Sequence, residues 1–459
     1  MLSILSLLLC LLPEMSMTTI RQFSRIALAL LAMTGRVTMQ GISRWTSDGG
    51  SYRTVQRFFT TLIPWASLFW LFFRTHLFQP GDLYLLAGDE TVVTKAGKHT
   101  YGLDRFFASL YGKAVPSISF FCLSLVSVNE RRSFPIAVEQ VVRSAEEKAK
   151  APAKAPPKRK SGRPKGSSTK AKTIVELTPE HSRIQTLIRS LLARINGLLP
   201  LNYLLLDGHF GNNNALQMAL QCNLHLISKL RSDSALYLPY DGPYAGHGPK
   251  RIYGDKINPR ALGERYLCQT SVEQDLETRI YQLQVRHKTF AQALNLVVIV
   301  KTNLKTQAQA HVLLFSSDLA LPSDKLIEYY SLRFQLEFNF RDAKQYWGLE
   351  DFMNTTERAV TNAANLSFFM INLVERVLQE MRERQSEMSV LDLKAYCRGA
   401  KYVEETIKLL PQRPEPVLLE RIFSKIAAIG RIHPLPDDSV RQRQHVCRNR
   451  RRFVSLFAD

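Results

Sequence analysis

Three acidic residues occupy positions where a carboxylate could take part in phosphoryl transfer. Asp89 and Asp207 lie at or just beyond the ends of apolar segments that predict buried strands, and Glu337 lies in a predicted helix beginning near Ser323. Rigid carboxylates can hold two Mg²⁺ ions about 4 Å apart and leave room for phosphate and water. For a single Asp, a turn or a helix cap is the commoner explanation, so the helix around Glu337 carries more weight.

That helix combines one acid with a phenol and several cations. Tyr330 and Arg333 precede Glu337 by seven and four residues, and Arg341 and Lys344 follow it by four and seven. At 100° per residue all five fall on one helix face. Surface ion pairs between successive turns would explain the charges but not the whole pattern. The stripe suits a metal ligand beside a phosphate backbone.

The same residues resemble a known signature. Tyr330-x2-Arg333-x3-Glu337-x6-Lys344 is similar, without a gap, to the YREK signature of bacterial insertion-sequence transposases of family four. The resemblance covers roughly residues 20 to 380 in layout. It includes the contexts of the two aspartates, which are Gly88-Asp89-Glu90-Thr91 and Asp207-Gly208-His209-Phe210.

The resemblance implies a DDE transposase with a ribonuclease H-like fold. It implies that Asp89, Asp207 and Glu337 are catalytic ligands of two Mg²⁺ (or Mn²⁺) ions. The phosphate backbone at the element's end would be held by cations and a phenol of the signature helix, to which we add Arg341 from its position: Tyr330, Arg333, Arg341 and Lys344. Cleavage at insertion-sequence ends and transfer of the 3′-hydroxyl strands to target DNA would follow. The expected partners are inverted-repeat ends, target DNA and a second copy in a synaptic homodimer.

The charge balance independently favours a polyanionic partner. Lys and Arg total 61 against 40 Asp and Glu, a formal net charge of +21. Two stretches without acids carry much of the excess, with ten Lys or Arg from Lys148 to Lys172 and six Arg from Arg441 to Arg452. A solubilising tail can look like this, but two such runs on a basic chain favour DNA.

The first basic stretch contains a short motif of its own. Residues 145–172 are rich in Lys, Ala and Pro and nearly free of large apolar side chains, which predicts a disordered linker. Within it, the segment from Gly162 to Gly166 resembles an AT-hook, in which Arg163 and Lys165 would bind the narrow minor groove of A·T-rich DNA.

The region 1–80 is predicted to be helical. Its last short helix near Tyr52 to Phe59 can turn apolar residues to a core while Arg53 and Arg57 project outward. Short helices ending in such a face suit a helix-turn-helix DNA-binding domain. A plain helical bundle with solvated arginines is the alternative.

Strands alternating with helices after residue 80 predict an α/β fold. We expect a ribonuclease H-like catalytic domain over 81–382 with a β-rich insertion at 232–320. Helix is predicted to dominate from Ser323 to about 382. A helical C-terminal region with a basic tail is expected over 383–459.

Other protein classes fit the sequence less well. The six scattered Cys form no CxxC pair, which suits a reducing cytosol, so we expect a cytoplasmic, nucleoid-associated prokaryotic protein. The apolar run from Leu62 to Phe73 is shorter than the roughly 20 residues that span a bilayer, and it predicts a buried helix. No basic amphipathic helix supports a membrane-surface protein.

Two rival enzyme classes lack essential residues. His445-x-x-Arg448 resembles part of a tyrosine-recombinase site, but no tyrosine follows it. Gly97-Lys98 lacks the upstream glycine of a P-loop. The remaining alternative is a catalytically silent, transposase-derived DNA-binding protein, against which the presence of all three acids counts.

Overall fold

The fold is that of a computed structural model of the chain. It describes residues 3–46, 50–144, 147–148, 172–244, 246–248, 250–383 and 387–433. Most of the predicted basic linker, with Arg163 and Lys165, and the arginine-rich tail lie outside these ranges.

Five helices precede the sheet. Hydroxyl side chains cap three of them, since Ser16, Thr38 and Ser51 each accept a backbone N–H of the first helical turn. The predicted buried helix after Leu62 is confirmed as α5, whose aromatic residues are almost all inaccessible to solvent. The bounds are α1 Ile4–Leu8, α2 Met17–Ala32, α3 Met39–Trp45, α4 Tyr52–Thr60 and α5 Trp65–His76.

One twelve-stranded sheet organises the α/β fold. The strands are β1 Tyr84–Thr94, β2 Asp104–Ala108, β3 Lys113–Ser127, β4 Arg132–Val141, β5 Tyr203–Leu205, β6 His225–Leu230, β7 Leu236–Pro239, β8 Tyr253–Lys256, β9 Leu267–Glu273, β10 Leu276–His287, β11 Leu294–Asn303 and β12 Gln309–Ser316.

Five of these strands form a ribonuclease H-like core. They lie in the order β4-β3-β1-β5-β6, in which β3 is antiparallel to both β4 and β1, whereas β5 is parallel to both β1 and β6. Beyond β6, the antiparallel strands β12, β11 and β10 widen the sheet, followed by β7 and β8. The predicted insertion range thus contributes strands that continue the core sheet.

Strand β4 was not predicted from the sequence. It contains Pro135, which lacks the N–H that a central strand needs. The structure accommodates Pro135 at a register shift, where Leu123 pairs with Ala137 and the next residue, Ser124, pairs with Pro135. A bulge therefore leaves Ile136 without a paired residue on β3.

Seven further α-helices follow residue 172 in the described part of the chain. They are α6 Pro179–Ile195, α7 Asn213–Leu220, α8 Ser323–Leu332, α9 Gln335–Gln345, α10 Glu357–Arg382, α11 Val390–Lys408 and α12 Pro416–Ile426. Helix α10 is buried along most of its length and contacts α4, α5 and β4. Helices α1–α5, much of the sheet and α10 share one apolar core.

Helix dominates from Ser323 to 382 as predicted, but the stretch forms three helices, so the helix that begins at Ser323 ends before Glu337. Between α8 and α9 the backbone tightens, and the N–H groups of Arg333 and Glu337 donate to carbonyls only three residues earlier. After α9, Gly348 adopts a φ of +80°, a left-handed conformation that ends helical continuation.

Within the described ranges, no helix is long and apolar enough to cross a bilayer.

Candidate active site

Asp89 and Asp207 lie on two neighbouring parallel strands. Ala87 on β1 pairs with Leu205 on β5, and each aspartate follows its paired residue by two positions. Parallel strands with the same offset present the two carboxylates at the same level of the sheet. Asp89 is not at the end of its strand, however, since β1 continues beside β3 as far as Thr94.

Backbone contacts fix Asp207 just beyond β5. Its Oδ1 accepts the N–H of His209 at 3.1 Å, which caps a single 3₁₀ turn, and its own carbonyl accepts the hydroxyl of Ser228 on β6 at 2.7 Å. The turn packs closely on β6, because a Cβ atom at Gly211 would lie 2.2 Å from the carbonyl oxygen of Lys229. Asp207 is therefore held from two adjacent strands.

Glu337 reaches the same site from the first turn of α9. The preceding residue, Leu336, and Leu332 at the end of α8 are fully buried in an apolar cluster on this face of the sheet. They anchor the helical junction, while the side chain of Glu337 remains half exposed.

Arg333 joins two of the carboxylates. Its Nη1 atom donates to Oδ2 of Asp89 at 2.7 Å, and its Nη2 atom lies 3.6 Å from Oε1 of Glu337. The distances place the guanidinium between strand β1 and helix α9, and Arg333 is only 8% exposed.

The charges of the three acids influence one another. Burial raises the pKa of Asp89 to about 6, the Arg333 charge opposes this rise, and the Asp207 and Glu337 charges add to it. Burial also raises the pKa of Tyr330, which interacts with Arg333, Asp207 and Asp89. The structure thus brings together five of the predicted site residues, namely Asp89, Asp207, Tyr330, Arg333 and Glu337.

The three acids offer oxygen donors, which suit a hard divalent cation. Among the described residues no group of three His, Cys, Asp or Glu side chains is gathered tightly enough to hold a metal ion. Yet carboxylate oxygens are the ligands that Mg²⁺ and Mn²⁺ prefer, and one positive group, the Arg333 guanidinium, already lies between Asp89 and Glu337.

Lys344 and Arg341 lie in different surroundings. Lys344 Nζ donates to the carbonyl of Val92 on β1 at 3.0 Å. Arg341 bonds Asp342 and stacks on Phe338, and it lines a groove of about 650 Å³ between the β3–β4 turn and helices α10 and α11. Arg341 follows Glu337 by one turn of the same helix, but its side chain contacts Asp342 and Phe338 and does not join the carboxylate cluster.

One known protein family matches more than half of the chain. The family described as DDE superfamily endonuclease matches residues 10–292, more than half of the chain. The chain belongs to this family. The matched range contains Asp89 and Asp207 and ends before Glu337.

Other comparisons add less about this DDE superfamily endonuclease. A solved cryo-EM structure of a piggyBac transposase synaptic complex with hairpin DNA is 11% identical to this chain, with a TM-score of 0.36. The similarity covers 93% of this chain and 79% of the piggyBac chain. Because that TM-score is low, the ribonuclease H-like fold is identified from the strand order β4-β3-β1-β5-β6. No curated protein matched the chain.

Sequence reasoning did not assign a role to the polar residues next to the two aspartates. In this DDE superfamily endonuclease, His209 lies 3.5 Å from Glu180 on α6, and this pairing raises the pKa of His209. Glu90 accepts the hydroxyl of Ser119. His209, Glu180 and Glu90 line a cavity of about 300 Å³ beside the carboxylates. The contexts around Asp89 and Asp207 named Glu90 and His209, but Glu180 is close only in the fold.

The predicted DNA-binding residues of the N-terminal helices are on the surface. Arg53 and Arg57 are exposed on α4, whereas Val55 and Phe59 are buried. Helix α3 packs against α4. The outward direction predicted for both arginines is thus confirmed, while their binding to DNA stays a prediction.

Proposed function

We propose that this protein is a transposase of the insertion-sequence family-four group, which cleaves DNA at the element's ends and joins the resulting 3′-hydroxyl strands to target DNA. The observation that carries this proposal is that Arg333 pairs with both Asp89 and Glu337, while Asp207 follows the strand next to that of Asp89 at the same level. Membership of the DDE superfamily endonucleases supports DNA cleavage as the reaction class.

Asp89, Asp207 and Glu337 would hold two Mg²⁺ or Mn²⁺ ions. Such ions, when bound, lower the pKa of an attacking water or hydroxyl and stabilise the leaving 3′-oxygen. The chain's own contribution is to fix the carboxylates from β1, β5 and α9 and to orient the DNA backbone through Tyr330, Arg333 and Lys344.

The rest of the chain would bind and align DNA. Arg53 and Arg57 on α4 are proposed to recognise the end sequence from a DNA-binding domain within residues 1–80. Residues 81–382 form the proposed catalytic domain, and 383–459 a C-terminal region with a basic tail. Arg163 and Lys165 are proposed to contact A·T-rich DNA, and the active form to be a homodimer at the prokaryotic nucleoid.

A cleavage assay with the full-length protein tests the proposal. The substrate is a duplex carrying the inverted repeat that flanks the coding sequence, with Mg²⁺ or Mn²⁺ added and chelator as the control. We expect Asp89→Asn, Asp207→Asn and Glu337→Gln each to lose cleavage by at least about a hundredfold while binding the duplex, since each removes a metal ligand.

Glu328→Gln is the matched control, because Glu328 is an acid on α8 that pairs with Lys325 outside the cluster. It should cleave as wild type does. Metal-independent cleavage, or wild-type cleavage by any of the three variants, would contradict the proposal. Binding by the wild type without cleavage would favour the catalytically silent DNA-binding protein.

A further inference from the structure

Arg333 is an unusual residue for a phosphate contact, because it is buried. Both terminal nitrogens of its guanidinium face carboxylates, Asp89 at 2.7 Å and Glu337 at 3.6 Å. Its Nε atom is buried without a hydrogen-bond partner among the described residues. The rings of Tyr330 and Phe334 lie 6.0 and 5.4 Å from the guanidinium carbon. In this position the guanidinium points at the carboxylates and not at the protein surface, where DNA would bind.

The guanidinium and a divalent cation cannot both bind the same carboxylate oxygen of Asp89 at the same time. Without a cation, three neighbouring carboxylates repel one another, and the buried guanidinium offsets that repulsion. A divalent ion bound to Asp89 and Glu337 would supply the same compensation and would repel a guanidinium a few ångströms away. The two cations therefore compete for the same oxygens.

We propose that Arg333 is an internal counter-cation that competes with the divalent metal for Asp89 and Glu337. Metal binding releases the guanidinium, which then becomes available to a DNA phosphate. This inference rests on the proposed function for the metal site and for the phosphate. It assigns Arg333 two alternative partners, a carboxylate pair without metal and a phosphodiester with it.

The position of Arg333 in the fold allows such a movement. It lies at the tight turn between α8 and α9, where the regular helical hydrogen bonds are already interrupted. The next residue, Phe334, is 56% exposed, so solvent reaches this junction. A change of rotamer at Arg333 would carry the guanidinium from Asp89 toward that open side without moving Leu332 or Leu336, which anchor the helices.

Competition for the carboxylates would couple metal binding to DNA binding through Arg333. A phosphate that takes up the released guanidinium makes metal binding more favourable, and metal binding makes the guanidinium available to DNA. Thermodynamic linkage requires the two effects to be equal in magnitude. Metal would thus be held weakly in the free protein and firmly on the DNA end, which would limit cleavage away from the end.

The direct test is Mn²⁺ binding by the full-length protein at pH 8 without DNA, followed by the electron paramagnetic resonance of free Mn²⁺. We expect Arg333→Gln to bind Mn²⁺ about tenfold more tightly than wild type, within the usual range of such couplings. Arg341→Gln is the matched control, since it removes the same charge eight residues away and outside the cluster. Its Mn²⁺ affinity should equal that of wild type.

Two further measurements test whether the tighter binding comes from the loss of the competing positive charge and not from another effect of the substitution. Arg333→Lys keeps a positive charge on this side chain and should bind Mn²⁺ less tightly than Arg333→Gln. In Arg333→Ala, free guanidinium ion at non-denaturing concentrations should refill the space and weaken Mn²⁺ binding. Added sodium ion at the same ionic strength should weaken it less.

The outcomes separate this inference from the proposed function. If wild type binds Mn²⁺ and Arg333→Gln binds it equally or more weakly, the counter-cation role is wrong and the transposase proposal is unaffected. If neither protein binds Mn²⁺ even when DNA is present, both proposals fail. Tighter binding in Arg333→Gln together with a smaller gain from added end duplex than in wild type would support the coupling.

Discussion

The ammonium of Lys344 lies 3.0 Å from the carbonyl oxygen of Val92, three residues beyond Asp89 on strand β1. A second partner, Glu350, lies 3.4 Å away and is more than half exposed. The contact ties the last turn of α9 to the strand that carries the first carboxylate. Lys344 thus contacts the backbone of the strand that carries Asp89. Arg341, on the same helix, contacts Asp342 and Phe338 instead.

Lys344→Ala should weaken binding of end DNA and reduce the slope of log affinity against log salt by about one, as the loss of one phosphate contact would. Cleavage should slow, and Mn²⁺ binding should persist because no carboxylate is lost. Arg341→Ala removes an equal charge from a side chain that lines a different groove, and it should change the slope less. An equal loss in both variants would mean that only net charge matters.

Metal binding should depend on pH through Asp89, whose pKa burial raises to about 6. Below that pH the carboxyl is protonated and must release its proton before it can bind a metal ion. Mn²⁺ affinity should therefore fall as the pH drops through about 6 and should change little from this group above about pH 7.

Calorimetry in two buffers of different ionisation enthalpy can count the protons released on Mn²⁺ binding. We expect release at about pH 5.5 and little at about pH 8, with Glu328→Gln behaving as wild type does. Equal affinity at both pH values, without proton release, would show that Asp89 does not bind the ion.

Asn362 on α10 holds the N-terminal helices to the body of the protein. It is 2% exposed, its Oδ1 accepts the indole N–H of Trp65 at 2.8 Å, and its amide donates to the carbonyls of Phe59 and Thr61, each at 2.8 Å. Asn362→Ala leaves these groups buried without partners, which should reduce the free energy of unfolding by about 3 kcal/mol.

Asn365→Ala is the matched control, because Asn365 is equally buried but its amide donates within its own helix, to Thr361. Urea denaturation should show the smaller loss for this variant. Hydrogen exchange should show faster opening of α4 and α5 in Asn362→Ala. Similar losses in the two variants would indicate that packing, not the bonds to the N-terminal helices, decides stability.

The basic segment can be tested apart from the catalytic site. Replacing residues 149–171 with a neutral Gly/Ser linker of equal length should weaken DNA binding and its salt dependence, since fewer counterions are released. Cleavage of an already bound end should continue. The double variant Arg163→Ala/Lys165→Ala should lose affinity chiefly for A·T-rich DNA, and unchanged affinity and salt slope would show a solubilising linker.

The sequence by itself determined the local elements that carry the site. Apolar runs before Asp89 and Asp207 indicated buried strands, and the periodicity around Glu337 indicated a helix, because each pattern lies within a few residues. The outward direction of Arg53 and Arg57 followed in the same way. Strand β4 was not predicted, and its Pro135 is accommodated by a bulge opposite β3 that only the pairing of the two strands reveals.

Only the tertiary structure decided which of these residues meet. The parallel pairing of β1 with β5 joins segments more than a hundred residues apart, and it sets Asp89 level with Asp207. The attraction of Arg333 to Asp89 is equally long-range, and the tight turn at Arg333 separates Tyr330 on α8 from the helix that carries Glu337. Periodicity assumes an unbroken helix, whereas a buried charge is placed by the partner that compensates it.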